Sequence, residues 1–174
     1  TVWIYVWEKV KDYLTKAGTT IFIASIIMWF LLNFGTSGYS TDMTNSFGAG
    51  IGHLLEPFFA PIGLGYWQIA VALIAGISAK EVVVSSCAVL FAVPNINSVA
   101  GMTALADILN GIGFHALNAY CLMIFCLLYV PCAATIATIK KESESWKWTG
   151  LSVLFQIVVA WVVTFLVYQI GGLL

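Results

Sequence analysis

Hydrophobic and polar positions fall in long blocks along this chain, and the blocks predict its elements. Residues 1–16 mix aromatic side chains with Glu8, Lys9, Lys11, Asp12 and Lys16. Trp3, Val6, Val10, Tyr13 and Leu14 recur at helical spacing, so this stretch predicts an amphipathic lead-in helix. Residues 17–34 carry no charge and predict a first transmembrane helix. Turn formers crowd residues 35–46. Over 47–60, Ile51, Leu54, Leu55, Phe58 and Phe59 share one helical face while His53 and Glu56 lie elsewhere, the pattern of an interfacial helix. Pro57, Pro61 and Gly63 then turn the chain back toward the bilayer.

Residues 69–93, IAVALIAGISAKEVVVSSCAVLFAV, are apolar enough to lie in a bilayer but carry Lys80 and Glu81 in their middle. Gly76-Ile77-Ser78 interrupts the stretch, and Ser78-Ala79-Lys80-Glu81 has the S-x-x-E form of a capping box. The pattern predicts a broken or re-entrant hairpin over 68–92, with two arms at about 68–77 and 79–92. Neighbouring side chains on a helix do not face each other, so Lys80 and Glu81 each require another partner. Two readings stand here. One is a kink with a buried salt bridge to a neighbouring segment. The other is a substrate or ion pathway, the usual meaning of an ionisable residue inside a membrane.

Ser98 caps a predicted short helix running to Asn110. Residues 116–139 form another apolar span, broken at Tyr129-Val130-Pro131-Cys132, because proline removes a backbone donor and disfavours helix at the residue before it. Carbonyls freed at such a break bind cations where they line a cavity. Cys132, Thr135 and Thr138 follow near one helical face, a thiol and hydroxyls suited to a soft or borderline divalent metal. A proline kink with a packed cysteine is the competing reading. The loop 140–147 is charged, Ser145 is a candidate N-cap, and 146–170 is the last transmembrane helix.

Composition narrows the class. The chain is 61% hydrophobic and 9% charged, against about a quarter charged in soluble domains. This implies an all-α, polytopic membrane protein with broken or re-entrant helices, one half of an inverted-repeat transporter. A net charge of -1 and the absence of arginine argue against nucleic-acid partners. The four cysteines form no CxxC pair, and Cys87, Cys121 and Cys126 read as small buried hydrophobes. No HExxH, GxSxG or phosphate-loop motif is present, and His53 and His115 fall outside the spans, so no enzyme is expected. The chain opens on Thr1 with no signal-peptide pattern and reads as part of a longer polypeptide. Lysines cluster at 9, 11 and 16 and again at 140, 141 and 147. Both clusters fall on the cytoplasmic side only if 69–93 turns back without crossing.

Taken together, KDYLTKAGT at 11–19, SIIMW at 25–29, Glu56-Pro57 with APIG at 60–63, ALIAGISAKEVVV at 72–84, YVPCAAT at 129–135 and SWKW at 145–148 resemble the C-terminal half of the prokaryotic ferrous iron transport protein B family. The resemblance implies the second of two inverted Gate repeats plus the final helix, in a multi-pass protein of the prokaryotic cytoplasmic membrane. It implies Fe(II) as the transported ion, with GTP and Mg bound in a domain outside these residues and no cofactor within them. Implied partners are the bilayer, the first Gate repeat and the cytosolic G domain of the same polypeptide. A second copy of the chain and a small cytosolic accessory protein are further candidates. Cys132 becomes the metal-pathway cysteine, Glu81 a carboxylate ligand or attractor, and Ser85 and Thr135 assisting groups. Lys80 locks the hairpin tip and does not meet the cation. The alternative is a stand-alone Gate-type protein for an organic solute, of the nucleoside-transporter-like or spore-maturation-like kind.

Overall fold

The computed structural model describes residues 2–35, 38–39, 43–77, 80, 82–93, 98–130 and 132–173. Helices dominate it, and two broken helices stand at its centre.

Helix α1, Val2–Asn33, is one continuous element. The sequence divides it into a lead-in and a span at residue 16, but no proline falls there to stop it. Thr15 and Thr19 return their hydroxyls to the Lys11 and Thr15 carbonyls within the helix, at 2.8 and 2.9 Å. At 1.5 Å per residue its 32 residues run to about 48 Å, well beyond an apolar core of about 30 Å. A two-residue hairpin, β1 (Phe34–Gly35) with β2 (Gly38–Tyr39), follows.

Helix α2, Phe47–Phe59, starts where the Ser46 hydroxyl accepts the Ala49 N–H at 3.1 Å. Gly48 and Gly52 lie one turn apart and admit close neighbours. A methyl on Gly48 would meet Leu32 and the Leu31 carbonyl, and one on Gly52 would meet Trp67 and Val71. After a 3-10 turn over Ala60–Ile62 the chain enters α3, Trp67–Ala75, bent 100° from α2. The new helix is capped from outside its own segment: Glu56 Oε1 accepts the Trp67 N–H at 3.0 Å.

Helix α4, Val82–Leu90, returns along α3. Ile69 near the start of α3 and Cys87 near the end of α4 line one cavity of ≈ 570 Å³. On a straight helix those residues would be about 27 Å apart, too far to share it. The described part of the second arm is Val82–Leu90, and the start at residue 79 read from the sequence lies outside the described residues. Ser78, Ala79 and Glu81, and with them the capping box, lie outside the described residues.

Helix α5, Val99–Gly111, is capped by Ser98, whose hydroxyl accepts the Gly101 N–H at 3.0 Å. It bends by 110° into α6, Ala116–Leu128, and after the break comes α7, Ala133–Ser143. The last helix, α8, spans Trp146–Gly171. Ser145 holds its N-cap position, but the side chain makes no cap bond. Instead its carbonyl accepts the Ser143 and Thr149 hydroxyls at 3.2 and 2.9 Å.

The core is built where α8 packs along α6 and against the 3-10 turn, and buried residues of α3 belong to the same cluster. Ile62, Leu64, Ile69, Cys121, Ala160 and Thr164 are fully buried. Thr164 returns its hydroxyl to the Ala160 carbonyl at 2.7 Å, so a polar side chain is buried without an orphaned group. The Trp161 indole N–H reaches the Phe58 carbonyl at 3.0 Å and ties α8 to the end of α2. The opposite face of α8 exposes Leu151, Phe155, Val158, Val162 and Leu166. Among the described residues α8 alone is long and apolar enough to cross a membrane by itself, and the two bent pairs each qualify when taken as one span. This is an all-α membrane protein.

Candidate functional site: two broken helices that exchange backbone bonds

A broken helix leaves carbonyls without their usual N–H four residues on, and each must find another donor when buried. In α3 the Ile77 N–H turns to Ile74 at 3.1 Å, which leaves the Leu73 carbonyl open. The Tyr129 hydroxyl fills it at 3.2 Å. Ile77 lies at the break, and its carbonyl accepts the Ala133 N–H at 2.8 Å. That donor would serve the Tyr129 carbonyl if α6 continued. Two residues earlier, the Leu127 carbonyl loses its donor because Pro131 has no N–H. Lys80 answers both losses: its ammonium donates to Leu127 O at 3.2 Å and to Tyr129 O at 3.4 Å, and stands 5.2 Å from the centre of the Tyr129 ring. Each break therefore supplies what the other lacks.

Gly76 makes the crossing possible by size. A methyl there would run into the Tyr129 hydroxyl and the Val83 side chain. Its own backbone is ordinary, with φ -64°, so the requirement is space and not conformation.

Cys132 sits at the N-cap position of α7, half-buried, with its sulfur 3.3 Å from the Thr135 hydroxyl. Its carbonyl accepts the Thr135 and Ile136 N–H groups at 2.8 and 3.1 Å. Thr135 is exposed, and Ser85 is exposed on α4 outside the cavity lining. Glu81 lies outside the described residues. The structure thus brings Lys80, Cys132 and Thr135 to the crossing. Among the described residues no three His, Cys, Asp or Glu side chains stand together as a metal cluster. The ≈ 570 Å³ cavity runs from Lys80 past Val83 and Cys87 to Leu105, Met123 and Cys126, with walls that are otherwise apolar.

Three participants escape a reading of the sequence alone: the Tyr129 phenol, the Ala133 N–H and the Leu127 carbonyl. The signal for the last was present. A proline four residues after Leu127 and a lysine in an apolar stretch are a spare acceptor and a spare donor. The two histidines are structural neighbours of helix ends. His53 Nδ1 lies 3.2 Å from Glu56 Oε1, and His115 precedes α6, its N–H donating to Asn118 Oδ1 at 3.1 Å.

The chain is 41% identical over 173 residues to the Fe(2+) transporter FeoB of Staphylococcus aureus strain MSSA476, covering 99% of this chain and 25% of the relative. It is 39% identical to the Fe(2+) transporter FeoB of Methanocaldococcus jannaschii, over 97% of this chain and 25% of that protein. An Fe(2+) transport protein A/Fe(2+) transporter FeoB fusion protein of Porphyromonas gingivalis is 29% identical, over 98% of this chain and 25% of that protein. The chain thus spans about a quarter of the length of the curated relatives it matches. No solved structure matches it. Residues 14–146 match the family described as Gate, nucleoside recognition. Both broken helices fall within those residues, and the chain belongs to the Gate family.

Proposed function

We propose that this chain is part of a permease that moves Fe(II) across the cytoplasmic membrane of a prokaryote. The observation that carries the reading is the crossed pair of broken helices in a chain whose relatives are named Fe(2+) transporters over nearly all of its length. Broken helices bring backbone carbonyls to membrane depth, where a cation exchanges its water for protein oxygens. Cys132 supplies a sulfur at the break, and sulfur favours soft and borderline ions such as Fe(II) over Mg(II) or Ca(II). Thr135 lies against that sulfur and assists it. Glu81 draws the cation to the hairpin tip, and Ser85 extends the route along α4. A stand-alone carrier of an organic solute is not favoured, because relatives at about 40% identity carry the iron transporter name.

Topology supports the same picture. With α3 and α4 as a re-entrant hairpin, two crossings separate the lysines of α1 from those around α7 and α8. Both clusters then face the cytoplasm. Nucleotide hydrolysis, in this reading, resides in a GTP-binding domain outside these residues. The fused transport protein A in the Porphyromonas relative supports a small accessory partner.

The test is uptake of radiolabelled Fe(II) by vesicles holding the full-length protein. Cys132→Ser and Glu81→Ala each lower uptake at least tenfold while the protein inserts and melts as before. Absence of Fe(II) uptake by the unaltered protein overturns the function. Unchanged uptake in both variants overturns the residue roles.

A further inference from the structure

The Leu127 and Tyr129 carbonyls share one donor, the Lys80 ammonium, at the end of α6, the negative end of its helix dipole. One is open because Pro131 cannot donate, the other because Ala133 donates to Ile77. Such a pair is an acceptor cradle for a positive charge. The structure fills it with an ammonium at 3.2 and 3.4 Å, backed by the Tyr129 ring at 5.2 Å. The same Lys80 lines the cavity that leads away between α4 and α6. An ammonium and a metal ion make the same demand on carbonyl oxygens. They cannot both be met here, since two unit charges 4 Å apart repel by about 4 kcal/mol at the effective dielectric near a protein surface.

We propose that the Leu127 and Tyr129 carbonyls are a cation site on the transport route, and that Lys80 is its tethered occupant, holding it shut until the cargo takes its place. This rests on the cation-permease reading above. Lys80 travels with the tip of the α3–α4 hairpin, and that tip is tied to the break by the Ala133–Ile77 and Tyr129–Leu73 bonds. Withdrawal of the tip breaks those two bonds and removes the ammonium in one motion. A lysine, not an arginine, suits the task. It is a compact charge on a flexible stem and leaves no planar fork behind in the cradle.

The experiment uses the purified full-length protein in detergent, with Mn(II) as the probe, its binding followed by electron paramagnetic resonance. Lys80→Met removes the charge; Lys80→Gln removes the charge but keeps N–H donors for the carbonyls. If the ammonium holds the site about nine-tenths of the time, its removal tightens Mn(II) binding about tenfold. Methylammonium added to either variant should then compete with Mn(II), while leaving the unaltered protein unchanged. Should Lys80→Met fail to fold, judged by its thermal midpoint, Lys80→Gln decides alone. Binding no tighter than in the unaltered protein overturns the proposal, as does a gain that methylammonium does not reverse. The two readings fail separately. Fe(II) uptake without a Mn(II) shift removes the tethered occupant alone, whereas a Mn(II) shift without Fe(II) uptake removes the iron function and leaves the site.

Discussion

The crossing of the two breaks makes a quantitative demand on Gly76 and Tyr129. A methyl at Gly76 would overlap two groups, the Tyr129 hydroxyl and the Val83 side chain. Overpacking a filled interior costs about 1–3 kcal/mol. Displacing the hydroxyl also takes the bond from the Leu73 carbonyl, worth about 1 kcal/mol. Gly76→Ala alone is therefore expected to cost about 2–4 kcal/mol. Tyr129→Phe leaves the Leu73 carbonyl buried without its donor, at about 1–2 kcal/mol. The two losses are not independent, because the same hydroxyl figures in both. With the hydroxyl already gone, the methyl has only Val83 to meet and no further bond to lose. The double variant should be more stable than the sum of the singles implies by about 1–2 kcal/mol, above the roughly 0.5 kcal/mol within which separate sites add. Thermal unfolding of the four proteins in one detergent measures it, at about 2–4 °C per kcal/mol for a chain of this size. Additive losses would refute the argument that Gly76 is small to let the phenol pass.

Two further outcomes follow from the helix junctions. Glu56→Ala, which uncaps α3, should cost about 1–2 kcal/mol, while Glu56→Gln keeps an acceptor for the Trp67 N–H and should cost about half a kcal/mol. Equal damage from both, read as shifts in thermal midpoint, would show that the 3.0 Å bond is not what holds the junction. Gly63 has φ 75° and faces the Tyr168 ring. Gly63→Ala should therefore carry about 1–2 kcal/mol of backbone strain plus about 1–3 kcal/mol of overlap. Tyr168→Leu in the same protein should return the overlap and leave the strain, and no recovery of the midpoint would count against that division.

Much of this architecture can be read along the chain because its causes are local. Apolar blocks without charge and a 9% share of charged residues make a membrane helix protein whatever its packing. Ser98 caps the helix that follows it because a cap is decided within three residues. Gly76 and Pro131 mark the breaks because one lacks a side chain and the other a donor. Local signals were also overruled. Ser145 has the residue type of a cap, yet its side chain does not cap α8. The lead-in and the first span, which differ in polarity, merge into α1 because polarity alone does not stop a helix.

Partnership is what the chain could not disclose. The sequence by itself determined that the break at Pro131 would free carbonyls and that Lys80 would want a partner. Only the tertiary structure decided that these needs meet: Lys80 with Leu127 and Tyr129, Tyr129 with Leu73, Ala133 with Ile77. The physical reason is that a missing backbone bond is a local fact, fixed by one proline or one glycine. The group that replaces it is chosen by which helices pack side by side, and the α3–α4 hairpin brings Lys80 to the end of α6 only once that packing exists.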